Sequence, residues 1–139
     1  MSSYELAYEI AKRAHAGQVD KAGKLYLLHP LTVSHNVKSC EAKIVGLLHD
    51  VAEDSNITVP SLRVLFGDEI ADALECLTHG KNEPYAAYIR RVAMNKLATE
   101  VKLADLEHNM DLSRLPSVTE KDLERVQKYR EAKEFLLSV

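Results

Sequence analysis

Apolar residues recur at steps of three and four along nearly the whole chain, a spacing that predicts one helix after another. Ser2 or Ser3 is placed to cap a first helix running to about Ala16, with Tyr4, Ala7, Ala11 and Ala14 on its inner face. Gly17 to Lys24 reads as a loop framed by Gly17 and Gly23. Pro30 suits the first turn of a second helix, about Leu31 to Lys38, with His29 just before it. A third covers about Glu41 to Val51, with Ile44, Leu47, Leu48 and Val51 at core spacing. Thr58 and Pro60 open a fourth that Gly67 ends, and Asp68 caps a fifth that turns Ile70, Ala73, Leu74 and Leu77 inward. After a Gly80–Glu83 loop, Pro84 starts a sixth helix to about Met94, and a seventh covers about Leu97 to Leu112. The last follows a Leu115–Thr119 loop and carries Leu123, Val126, Tyr129, Ala132 and Leu136 inward. No segment alternates as a strand would, and no internal repeat, low-complexity run or long linker divides the chain. The expectation is one all-α domain over residues 1–139, a bundle of about eight helices around a single core.

Composition adds limits. A chain of 139 residues can bury a substantial core, and 46% apolar with 28% charged residues is ordinary for a soluble globular protein. A net charge of -3 gives no support for nucleic acid as the main partner. No apolar run approaches the roughly 20 residues of a membrane span, and the N-terminus lacks the pattern of a signal peptide. Cys40 and Cys76 have no CxxC spacing and read as small buried residues in a reducing compartment, so the cytoplasm is the expected location.

The chemistry concentrates in Gly46-Leu47-Leu48-His49-Asp50-Val51-Ala52-Glu53-Asp54, where an apolar helix runs into an imidazole and three carboxylates. On a continuous helix His49 lies over Glu53, and Asp50 over both Glu53 and Asp54. Carboxylates that close repel, and burial makes this worse unless they are paired or metal-bound. A divalent cation held by His49 and Asp50 would relieve the strain, leaving Glu53 and Asp54 to work on water or substrate. A helix end with a solvated acidic tail is the alternative. In the seventh helix, Leu97, Val101, Ala104, His108 and Leu112 follow one face, with Asp105 on or beside the stripe and Asn109 a turn further on. Asp105 is then either a local partner of Lys102 on a solvated flank or a ligand arriving from a distant helix. His29, in Tyr26-Leu27-Leu28-His29-Pro30, is either a hydrogen-bonded core or capping residue or a ligand.

Three separated motifs resemble the HD superfamily of metal-dependent phosphohydrolases. The resemblance is closest to its alarmone-hydrolase branch: the hydrolase domain of the Rel/Spo stringent-response enzymes and their small free-standing relatives. The motifs are Ala14-His15-Ala16-Gly17-Gln18 through Lys21-Ala22-Gly23, Tyr26 and His29-Pro30; Leu47-Leu48-His49-Asp50-Val51 with Glu53-Asp54-Ser55; and Val101-Lys102-Leu103-Ala104-Asp105 with His108-Asn109-Met110. The resemblance implies an HD-type helical fold in which His29, His49, Asp50 and Asp105 are metal ligands and Glu53 and Asp54 the catalytic acidic pair. It further implies Asn109 as a nucleotide contact and Lys21 with its neighbours on the guanine side of the pocket. Family members typically use Mn²⁺; a site of nitrogen and oxygen ligands with open positions also fits Fe²⁺ or Mg²⁺, and accommodates Zn²⁺. The pattern departs at Asp20-Lys21, where the family usually has Arg-Lys and the Arg helps hold the base, and at Met110-Asp111-Leu112, where it often has Met-Arg-Thr. Both departures remove basic character near the expected nucleotide.

The implied chemistry is metal-assisted hydrolysis of a phosphate ester or pyrophosphate, with Glu53 or Asp54 as general base. Lys21, Lys24 and Lys102 are candidates to neutralise phosphate charge, or else solvated surface lysines. His15 and His108 read as hydrogen-bonding residues around the ligands, and His35 and His79 as ordinary helix or loop residues. Three functions follow: removal of the 3′-pyrophosphate from (p)ppGpp, hydrolysis of another phosphorylated metabolite by a nucleotidase or pyrophosphatase, or binding of a nucleotide or partner by a metal-stabilised domain without turnover. The chain has no room for the synthetase domain of the long family enzymes, so the expected activity is hydrolysis only, on a guanine nucleotide rather than nucleic acid. Oligomeric state and native metal are left open by the sequence.

Overall fold

The computed structural model of the protein describes residues 1–139. It is all-α: α1 (Ser3–Ala14), α2 (Leu28–His35), α3 (Cys40–Leu48), α4 (Val51–Asp54), α5 (Val59–Phe66), α6 (Asp68–Leu77), α7 (Tyr85–Ala93), α8 (Lys96–Asn109) and α9 (Glu120–Ser138), with a 3₁₀ turn at Leu112–Arg114. Val19 and Leu25 form one isolated antiparallel bridge across the first loop. No helix is long and apolar enough to cross a membrane.

Most helix starts follow from side-chain capping. Ser2 accepts from the Glu5 N–H while Glu5 accepts from the Ser2 N–H, and Thr119 and Asp122 repeat this reciprocal cap at α9. Ser39, Thr58 and Asn95 cap α3, α5 and α8. Gly67, at φ +90, ends α5 and begins α6 in one residue, a backbone conformation open to glycine and costly for other residues. Asp68 is therefore not the cap expected from sequence. It is the first residue of α6, and its carboxylate takes a hydrogen bond from Arg63 (2.8 Å).

Helix α3 lies at the centre. Ala42, Ile44, Val45, Gly46, Leu47 and Leu48 are all buried, so it is apolar on nearly every side, as an interior helix must be. It packs on α1, α2, α6 and α8, while α9 closes the bundle over α7 and α8. Gly46 is where α3 crosses α2 most closely: a Cβ there would stand 3.0 Å from the Ser34 Cα and 3.1 Å from its N. The core gathers 23 buried residues from Ala7 to Leu136.

Several inward assignments change. Tyr4 and Leu123 are exposed, on the outer faces of the helices they begin. Cys40 is exposed and Cys76 half-buried, and both are free thiols. Helix α2 starts at Leu28, three residues earlier than expected, and so carries His29 and Pro30 in its first turn. The eighth helix stops at Asn109 rather than Leu112. The expected third helix is broken, with α3 stopping at Leu48 and α4 resuming at Val51.

Candidate metal centre

That break builds the site. The His49 ring lies 2.6 Å through Nδ1 from the Gly46 carbonyl, the acceptor that the Asp50 N–H would use in an unbroken helix. With that carbonyl taken, the backbone leaves helical geometry at Asp50 (φ -104, ψ -1). Consecutive residues of a helix point about 100° apart; here His49 Nε2 and Asp50 Oδ2 instead converge to 3.1 Å. The same contact sets the imidazole tautomer: Nδ1–H donates to Gly46, and Nε2 keeps its lone pair. His49 Nε2 is buried and has no hydrogen-bond donor to satisfy it.

Two further helices bring the remaining groups. His29, from the first turn of α2, places Nε2 2.7 Å from Asp105 Oδ1 and 3.8 Å from Asp50 Oδ2. Asp105 Oδ1 is also 3.4 Å from His49 Nε2. One ligand atom from each of His29, His49 and Asp105 lies within 4.8 Å of the others, and all three residues are buried. Lone pairs of two imidazoles and two carboxylates facing one point repel unless a proton or cation sits among them. The donor set and the orphaned His49 Nε2 fit a divalent cation.

Neighbouring side chains hold these groups in place. Asp105 Oδ2 takes the Lys102 ammonium (2.8 Å), and its Oδ1 accepts from Asn109 Nδ2 (3.0 Å). Asp105 is thus a local partner of Lys102, though not on a solvated flank, and its other oxygen faces His29 and His49: Asp105 is 4% exposed and Lys102 8%. Lys102 lies over the Tyr88 ring (5.0 Å) and is committed to this pair rather than open to a phosphate. His29 and His108 approach at 2.6 Å through their Nδ1 atoms, so a proton on His29 Nδ1 leaves its Nε2 free for the centre. Tyr26 donates its hydroxyl to Asp50 Oδ2 (2.5 Å). His15 does not reach the ligands; its Nδ1 meets Gln18 Oε1 at 3.0 Å, and Gln18 donates to the Asp54 carbonyl (3.2 Å).

The electrostatics follow from this crowding. Burial pushes the Asp50 carboxyl upward, but with no cation bound a proton on His49, held there against burial by Asp50 and Asp105, outweighs it and keeps the group at about 2. Burial also opposes ionisation of Asp105, and Lys102 overcomes it, so its pKa falls well below the ordinary range. His108 is depressed to about 4, by burial first and His29 second. Glu53 and Asp54 shift the other way: burial raises both, and the Asp50 charge adds to each. Glu53 accepts from the backbone N–H of His79, whose ring stacks on Tyr88 at 4.5 Å. Asp54 and Tyr26 line an open depression of about 390 Å³.

A second cavity, of about 380 Å³, adjoins the centre through Tyr26 and Asn109, each of which also bonds one of its carboxylates. Lys21 lines it, as expected, but Lys24 does not; the Lys24 side chain is exposed, and its backbone N–H donates to Asp20 Oδ1 (2.9 Å). Asn109 lines the cavity and is at the same time tied to Asp105. Sequence reasoning missed Arg114, which reaches this cavity from the 3₁₀ turn, and gave no role to Tyr26. The Tyr26 signal was its place three residues before His29; Arg114 offered none, its partner Asp20 being 94 positions away.

Residues 7–101 match the HD domain family. The chain is 34% identical over 126 residues to the guanosine-3′,5′-bis(diphosphate) 3′-pyrophosphohydrolase of Spiroplasma citri, an overlap of 79% of this chain and 17% of that protein. It is 32% identical over 119 residues to the bifunctional (p)ppGpp synthase/hydrolase SpoT of Escherichia coli (strain K12), covering 75% of this chain and 17% of SpoT. It therefore spans about a sixth of these relatives' length. Among solved structures it superposes with a TM-score of 0.78 on a metazoan ortholog of SpoT that hydrolyzes ppGpp and plays a role in starvation responses. That likeness covers 99% of this chain and 86% of the other at 21% identity, which establishes the HD-type fold.

Proposed function

The chain belongs to the HD domain family, and from that premise we propose that it is a single-domain, metal-dependent phosphohydrolase. Its leading substrate is guanosine 3′,5′-bis(diphosphate), hydrolysed to GDP and pyrophosphate. The observation that carries the reading is the convergence of His29, His49, Asp50 and Asp105, from three segments, beside the carboxyls of Glu53 and Asp54. The relatives' names supply the substrate class. Mn²⁺ is the assigned metal because the family resemblance implies it, and the donors, all nitrogen and oxygen, accommodate it. The cytoplasm suits a guanine nucleotide and two free thiols.

The four ligands would hold the cation, which when bound lowers the pKa of water and draws charge from a phosphoryl oxygen. Glu53 or Asp54 accepts the proton of the attacking water. A raised carboxyl pKa favours that task, since proton transfer improves as the base approaches neutrality. The water oxygen bonds to the phosphorus at O3′, the O3′–P bond breaks, and the 3′ oxygen takes a proton. Tyr26 keeps its proton, because burial and Asp50 raise its pKa, so it continues to orient Asp50. Lys102 and Asn109 fix Asp105.

The test is a panel of phosphorylated nucleotides incubated with the Mn²⁺-loaded chain, with products separated by chromatography. Conversion of ppGpp to GDP and pyrophosphate is the expected result. Turnover of other phosphorylated nucleotides alone would retain the phosphohydrolase and refute the alarmone as substrate. No turnover at all would refute both, in favour of a nucleotide-binding domain.

A further inference from the structure

Asp20 stands where the family pattern has an arginine, and the structure gives that position a different task. Its Oδ1 accepts the backbone N–H groups of Ala22 and Lys24 (2.9 Å each), which ties the first loop into a turn. Its Oδ2 faces the opposite way and receives Arg114 Nη1 (3.3 Å). Arg114 Nη2 donates to the His108 carbonyl (3.2 Å) at the end of α8. Two anchors, one 94 positions away and one six, thus fix the plane of one guanidinium in the wall of the 380 Å³ cavity. Its Nε–H is buried and has no partner, although a buried donor normally finds one.

The Arg114 side chain is one-third exposed, and its surroundings indicate what the guanidinium meets. Half of the cavity's 12 lining residues are hydrophobic, Val19, Ala22, Leu112 and Leu115 among them, and Tyr26 and Tyr129 add aromatic faces. Asp20 and Asp111 also line it, as do Lys21, Arg114 and Arg125. Arg114 is already paired with Asp20 and Arg125 with Asp122, and Asp111 offsets Lys21, so the walls carry no surplus of unpaired positive charge for a phosphate. They suit a flat, neutral ring with donors on one edge and acceptors on another. A guanine-type base is such a ring, with O6 and N7 as acceptors matched to a guanidinium and N1–H and the 2-amino group as donors.

We propose that Arg114, held in position by Asp20, is the specificity-determining residue that reads an oxo-purine base in this cavity, while the phosphates lie toward the metal centre. The inference rests on the phosphohydrolase reading for which end of the nucleotide points where. In this reading Arg114 takes over the base contact that the family pattern gives to an arginine at position 20. A guanidinium introduced at Asp20 would meet Arg114 and displace it, so Asp20→Arg weakens guanine binding rather than restoring it.

The experiment measures KM and kcat for ppGpp and its adenine counterpart, and GDP binding by calorimetry without added metal, on the full chain. Arg114→Gln is expected to raise KM for ppGpp and Kd for GDP by about 10- to 100-fold, to leave kcat within a few-fold, and to erase the preference over adenine. Arg114→Lys, which keeps the charge but not the planar fork, is expected to lose the preference too. Asp20→Arg is expected to raise the Kd for GDP. Wild-type turnover of ppGpp with unchanged KM and unchanged preference in both Arg114 variants would overturn the inference while the function stands. GDP binding that depends on Arg114 in a wild-type chain unable to hydrolyse ppGpp would uphold the inference while the function fails. GDP binding indifferent to Arg114, or no GDP binding, would overturn it.

Discussion

The metal centre and the cavity beside it share Tyr26 and Asn109 but are built differently. At the centre each proposed ligand is fixed by a packed partner: His49 by the Gly46 carbonyl three residues back, Asp105 by Lys102 and Asn109 three and four residues away, Asp50 by the Tyr26 hydroxyl, and His29 by the stacked His108 ring 79 positions on. In the cavity the groups sit on the first loop and the 3₁₀ turn, and they are joined by an Asp20–Arg114 contact across 94 positions. The proposed catalytic geometry is held by groups packed within and between helices, where packing resists change. The proposed recognition rests on half-exposed groups of the first loop and the 3₁₀ turn, where one exchange of charge can move a guanidinium from one segment of the chain to another without disturbing the centre.

The largest effect should come from Asp105→Ala, which removes a ligand and strands the Lys102 ammonium in the core. Metal binding and turnover are expected to vanish together, with a loss of stability of about 3–5 kcal/mol, read by calorimetry and denaturant unfolding. Unchanged Mn²⁺ affinity would remove the basis for treating the centre as one unit. Glu53→Gln should spare the metal and lower kcat by about 10²- to 10⁴-fold; undiminished turnover would show that the base had been misassigned.

A smaller loss tests the neighbours rather than the ligands. His108→Ala is expected to weaken Mn²⁺ affinity by about 10- to 100-fold through His29, while the KM of any variant still saturable with metal stays close to wild type. Gly46→Ala forces a Cβ to 3.0 Å from the Ser34 backbone. It should cost about 1–3 kcal/mol in unfolding free energy by overpacking, and a neutral result would mean that α2 and α3 can slide apart.

The pH profile sharpens the contrast most finely. A general base works only when deprotonated, so kcat falls as pH drops through its pKa. Burial raises Glu53, which places the acid limb of kcat above the ordinary carboxylate range. Glu53→Gln should abolish that limb, whereas Arg114→Gln should leave it in place.

The contrast also explains what could be read from the chain. Helix periods and caps gave the all-α architecture, because Ser2, Ser39, Thr58, Asn95 and Thr119 act within their own first turns. His29, His49, Asp50 and Asp105 were legible from motif order, and Asp105 also from a carboxylate placed beside an apolar stripe. The break between Leu48 and Val51 was not, since it depends on an imidazole competing with the backbone for one carbonyl, and apolar periodicity does not register that competition. Lys24 and Lys102 looked alike as spare cations; one is exposed away from the cavity and the other is buried against Asp105, a difference set by tertiary contacts. Arg114 could not have been singled out, for the loop that holds it is remote in sequence.

The most direct test is anomalous scattering from crystals of the full chain grown with Mn²⁺. One strong peak is expected about 2.0–2.3 Å from His29 Nε2, His49 Nε2 and an oxygen of each of Asp50 and Asp105, with Glu53 and Asp54 outside the ligand set. A peak held by Glu53 and Asp54 instead, or no peak among the two histidines and Asp105, would contradict the proposed centre.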